Sequence, residues 1–113
     1  MAFNKTYGTL KTALVSLTPG APSGVLFPAP AADEVYYIRD FLITTNDTAQ
    51  PMITVSDASG PLLRAYVSNA APTLAATSDP IRTTKGSVIN VTAGAVTAAK
   101  TVEIKCVAYV SKT

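Results

Sequence analysis

Residues Glu34–Thr45, EVYYIRDFLITT, form the longest run of strand-forming side chains, and the run stops at the turn signal Asn46-Asp47-Thr48. Strict alternation places Val35, Tyr37, Arg39, Phe41 and Ile43 on one face, and Tyr36, Ile38, Asp40, Leu42 and Thr44 on the other. Both faces are largely apolar, which predicts a strand with one face in a core and the other in a contact. Arg39 and Asp40 then point to opposite faces. Each pairs with a neighbouring strand or marks where a face meets solvent. The cleanest alternation is in Thr101–Val110: Val102, Ile104, Cys106, Ala108 and Val110 face in, and Thr101, Glu103, Lys105, Val107 and Tyr109 face out.

Shorter runs fill the rest. Leu10–Leu17 alternates imperfectly; its Thr, Val and Ser content favours a strand over a short helix. The segment Thr18-Pro19-Gly20-Ala21-Pro22-Ser23-Gly24 stops it, and Gly24–Phe27 is a short strand before the proline loop Pro28–Asp33. Met52–Ser56 and Leu62–Val67 flank the turn Asp57–Pro61. Ser68–Asp79 and Ala93–Ala99 read as Ala-rich loops, the first with room for one short extended segment. Ile81–Thr83 and Ser87–Thr92 are further short strands. Seven or eight short strands at this spacing, with no helix of ordinary length, predict an all-β antiparallel sandwich or barrel. Residues 1–9 read as an extended arm and 10–113 as a single domain. Phe3 and Tyr7 in the arm dock on a neighbouring subunit or fold back on the domain's own core.

Composition narrows the chemistry. Charged residues are 14% of the 113-residue chain, so its polar surface comes from Thr, Ser and Asn. Such residues suit strands and turns, and also suit a surface that another protein covers, because little charge must be desolvated. Net charge is +2, and the nine Lys and Arg residues are spread evenly, without the stripe that nucleic acid needs. Histidine is absent, which removes His acid–base chemistry and His metal ligands. The single cysteine, Cys106, reads as a small buried hydrophobe. Asp33-Glu34, Asn46-Asp47 and Asp57 stand at loop ends but lack calcium-loop spacing. No phosphate loop, catalytic constellation, cofactor motif or membrane span is present. Ala13-Leu14-Val15 is too short for the apolar part of a signal peptide, so synthesis in a cytoplasm is expected.

The run VYYIRDFLITTNDTAQPMITVSDASGPLLRAYV and the later SVINVTAGAVTAAKTVEIKCVAYV carry a recognisable order. Tyr36, Ile38, Ile43 (or Leu42) and Asn46 form an aromatic strand, followed by Thr54, Val55, Ser56, Asp57, Ser59 and Gly60 in a turn. In these residues the chain resembles the small jelly-roll virion proteins of tailed bacteriophages, which include capsid decoration (cement) proteins and head- or tail-associated spikes. The Pro- and Ala-rich Thr18–Asp33 segment departs from that pattern. The resemblance implies a jelly-roll-like sandwich and a non-enzymatic structural protein of the virion. It would be a homotrimer that binds the major capsid protein or other virion subunits, without nucleic acid, membrane or cofactor. Phe3, Tyr7, Ala71, Pro72, Leu74, Gly94 and Val96 are then the expected contact residues. A carbohydrate- or receptor-binding sandwich using exposed tyrosines, or a small self-assembling coat protein, are the alternatives.

Overall fold

A computed structural model describes residues 9–70 and 73–112, the backbone only for 73–79. Among these residues there are eight strands and no helix: β1 (Thr9–Leu17), β2 (Ser23–Phe27), β3 (Glu34–Thr45), β4 (Met52–Asp57), β5 (Gly60–Tyr66), β6 (Thr73–Arg82), β7 (Ile89–Ala93) and β8 (Val102–Lys112). They form two four-stranded antiparallel sheets, ordered β1-β8-β3-β6 and β2-β7-β4-β5. Successive strands cross between the sheets, except at the β4–β5 hairpin, and the result is the eight-stranded jelly roll. The Pro-rich segment between β1 and β3 keeps to that topology. Its turn is closed by paired bonds between Thr18 and Ala21, each amide donating to the other's carbonyl at 3.1 Å.

The core lies between the sheets. Tyr36, Ile38, Phe41, Ile43, Val102, Ile104 and Cys106 from the first sheet meet Leu26, Phe27, Ile53, Val55, Ile89 and Val91 from the second. Each such side chain contributes roughly 1.5–3 kcal/mol by leaving water. Phe27 stacks on Tyr36 with ring centroids 4.9 Å apart. The Tyr36 hydroxyl donates to the Pro28 carbonyl at 2.6 Å, so the one polar atom of that buried ring is satisfied.

β3 corrects the strict alternation. Its register on β8 passes from Ile38↔Ala108 to Asp40↔Val107, with Arg39 as the extra residue of a bulge. The bulge resets the period. Tyr36 and Ile38 face the core before it; Phe41 and Ile43 face the core after it. What reads as two apolar faces is therefore one core face shifted by a residue. Leu42 is left on the outside.

The expected Ser68–Asp79 loop is also corrected. β6 begins at Thr73 and pairs Leu74 with Leu42 and Ala76 with Asp40. Alanine has low strand propensity, but β3 presents a complete ladder that the segment joins. Between Ala76 and Ile81 the register breaks, leaving Thr77–Pro80 opposite Arg39. The proline falls where no ladder bond is needed.

Candidate interaction surface

Two carboxylates tie the loops at the sandwich ends. After β3, the Asp47 amide donates to Thr45 Oγ1, and Asp47 Oδ1 accepts from the Ala49 amide at 2.9 Å, an Asx turn. The same carboxylate reaches the β7–β8 loop, accepting from the Thr97 amide at 2.7 Å and from Thr97 Oγ1 at 2.8 Å. Asn46 Oδ1 accepts from the Thr101 amide beside it. Asp57 plays this part in the β4–β5 turn. It accepts from the Ser59 amide and hydroxyl, and from the Thr84 amide at 2.7 Å. These carboxylate oxygens are engaged by amides and hydroxyls, and no group of three or more potential metal ligands occurs among the described residues.

The titration of both aspartates follows. The Thr97 amide, then the Ala49 amide, hold Asp47 below its ordinary value of 3.8 against the opposing effect of burial. Burial pushes Asp57 up, yet its bonds from Ser59 and Thr84 outweigh burial and leave it lowered. A lowered folded value stabilises the domain above the unfolded pKa, and that contribution is lost as pH falls through the folded value. Asp47→Asn places an amide NH2 against donors from Thr97. We expect it to lower the melting temperature at neutral pH, with the deficit shrinking in acid. Melting curves over the acid range check this; a deficit independent of pH would contradict the assignment.

The exposed chemistry lies on the outer face of the first sheet. Cross-strand rows there read Leu10–Tyr109–Tyr37–Arg82 and Leu14–Lys105–Leu42–Leu74. Leu10 is 53% exposed, Leu14 68% and Leu42 39%, so three of the five exposed large hydrophobics of the described residues share this face. Ser16 Oγ donates to Glu103 at its end. A face of leucines and half-buried tyrosines with one cation in each of these rows, Arg82 or Lys105, costs little to desolvate and suits another protein surface. A separate cleft of about 340 Å³ has Leu26, Phe27, Pro28, Tyr36 and Val110 on its wall with Lys11 and Glu34, an arrangement without a nucleophile–base pair.

Of the expected contact residues, Phe3, Tyr7, Ala71 and Pro72 lie outside the described residues. Leu74 falls in β6, opposite Leu42. Gly94 is exposed and donates its amide to the Met52 carbonyl at 2.7 Å. Val96 is half-buried and packs against the core. It is an apolar side chain in a loop that the Asp47–Thr97 bonds fold inward. Of the tyrosines, Tyr36 is buried, whereas Tyr66 is 69% exposed on β5. Sequence reasoning missed Leu10, Leu14 and Leu42 as a group. The signal was the imperfect alternation of β1. Cys106 is fully buried; burial, then the charge of Asp40, push its thiol up to about 12, which makes it inert.

This order of strands has counterparts among solved structures. One chain of the acid-stable capsid of Helicobacter pylori bacteriophage KHP30 superposes with a TM-score of 0.62 at 9% identity, over 92% of this chain and 90% of that one. The fold is shared with a phage capsid chain. A chain of the cyanophage Pam1 capsid follows, with a TM-score of 0.53 at 17% identity, covering 92% and 86%. A protein of Bacillus endospore appendages, a family of disulfide-linked pili, gives 0.50 at 9% identity, covering 92% and 88%. At these identities the likeness is one of fold. No protein-family model matches the sequence, and no curated protein does.

Proposed function

We propose that this chain is a non-enzymatic structural protein of a bacteriophage particle, a capsid decoration (cement) protein that binds neighbouring shell subunits. The observation that carries this reading is the near end-to-end likeness to the KHP30 capsid chain, 92% of one and 90% of the other. The capsid chain it matches is thus little more than this one jelly roll. The outer face of the first sheet supports the reading, because it offers apolar contact area without a site for chemistry. Binding works by mass action: a subunit that joins neighbours only in the assembled shell stabilises the shell. Self-association into a homotrimer, as in the family it resembles, belongs to the reading.

The test is the solution mass of the purified protein, by light scattering behind a sizing column. A discrete oligomer of three chains of 11.7 kDa, or of six where a two-fold contact joins two such trimers, is expected. A particle of very high mass would make it a coat protein that builds its own shell. A monomer that also binds in a glycan screen would replace the proposal with the receptor-binding alternative.

A further inference from the structure

A sandwich of two open sheets has four edge strands, here β1, β6, β2 and β5. Unpaired edges are templates for another chain, and proteins blunt them with bulges, prolines and short strands. Three of these edges are blunted. β2 has five residues and a register break at Leu26. β5 begins Gly60-Pro61 and its register on β4 skips Leu62. β6 breaks over Thr77–Pro80. β1 carries none of these devices. Its nine residues run in unbroken register from Thr9↔Val110 to Leu17↔Val102, contain no proline, and have Lys11 as their sole charge.

We propose that the open edge of β1 is a pairing site for a second copy of this chain, antiparallel and two-fold, with Thr12 facing its own copy on the axis. The strand is self-complementary in that register. Leu10 and Leu14 lie on the outer face, and the two-fold axis sets each Leu10 against the other copy's Leu14. Cross-strand apolar pairs of this kind stabilise sheets. The symmetry sets Lys11 against Ala13 of the copy, so the two like charges lie on the diagonal, about 7–8 Å apart between Cα atoms, and not directly opposite each other. On the inner side, Ala13 and Val15 already pack on the core and need not move. Shifting the axis to Ala13 sets Leu10 against Ser16 and Leu14 against Thr12, which forfeits both leucine pairs. The product is one eight-stranded sheet in which the paired leucines join the outer rows of the two copies, Tyr37–Tyr109–Leu10 on one side and Leu14–Lys105–Leu42 on the other. An isologous contact closes after two copies and leaves other surfaces free for a contact among three. It is a property of the edge alone and does not rest on the virion reading.

Cysteine cross-linking tests the register. Facing residues of antiparallel strands have Cα atoms about 4.5–5.5 Å apart, within disulfide reach. Thr12→Cys, treated with a mild oxidant, is expected to give mainly a covalent species of twice the 11.7 kDa chain mass on a non-reducing gel. Buried Cys106 leaves the unmodified protein silent. Ser16→Cys lies on the same face four residues on, and would be about 26 Å from its copy, so it is expected to stay monomeric. Adding Leu10→Lys to Thr12→Cys should lower the cross-linked yield roughly fivefold, because the symmetric contact contains the change twice. Equal yields from Thr12→Cys and Ser16→Cys would reduce the effect to chance collision. No dimer from Thr12→Cys would give the edge to another occupant. Either result overturns the proposal.

Discussion

Phe41→Ala is expected to remove about 3–5 kcal/mol of stability, a large share of what a domain of this size possesses. Phe41 is 1% exposed and is the largest of the fully buried side chains. Its neighbours explain why the site cannot collapse around an alanine. On β8 it faces Cys106, and beyond Cys106 on β1 stands Ala13, so this row of the first sheet sets small residues beside the ring. No flexible side chain in the row is long enough to swing into the void. The Arg39 bulge lies just before it and fixes which way the ring points. Urea unfolding followed by circular dichroism measures the loss. A change under about 1 kcal/mol would mean that the ring is not packed as described.

Single-residue deletions in β3 should have opposite outcomes that exposure alone would not foretell. Leu42 is exposed and Arg39 half-buried, yet deleting Leu42 is the damaging change. If the bulge stays, losing Leu42 turns Ile43 outward and forfeits about 1.5–3 kcal/mol for that side chain alone. If the strand absorbs the loss by straightening the bulge, Ile43 stays inside, but Asp40 enters the core and Phe41 leaves it. No placement of the bulge rescues the register. Deleting Arg39 straightens the strand with Tyr36, Ile38, Phe41 and Ile43 all on the core face. That variant is expected to fold, with a smaller loss from the altered twist. Thermal melts of the two deletions decide the matter; an equal loss in both would refute the bulge as the device that sets the face.

The contrast shows what can be read from a linear chain. The ends of β3 and the inward set Val102, Ile104, Cys106 and Ala108 of β8 were legible, because alternation and turn residues are local. The bulge was not. One inserted residue looks identical to a strand with two apolar faces, and only the partner's register separates them. β6 was hidden because Thr73–Ala76 has little propensity of its own and takes its form from β3. The contact surface was half visible. Leu10 and Leu14 disturbed the alternation of β1, but Leu42 joins them only through Lys105 on the intervening β8. The Asn46-Asp47-Thr48 turn was plain, whereas its bond to Thr97 spans fifty residues and leaves no local trace.

The pairing of β1 with β8 also bears on how the protein is made. β1 leaves the ribosome first among the strands, and the strand that completes its ladder leaves last. The β4–β5 hairpin, with its two-residue turn at Ala58-Ser59, can close as soon as it emerges. β1 must wait with both edges open and its leucines in water until nearly the whole chain is out. Chains growing side by side on one message would hold these strands close together at high local concentration. The lone charge of Lys11, only diagonal to its like when two β1 strands pair, is then a weak guard against premature pairing between nascent chains.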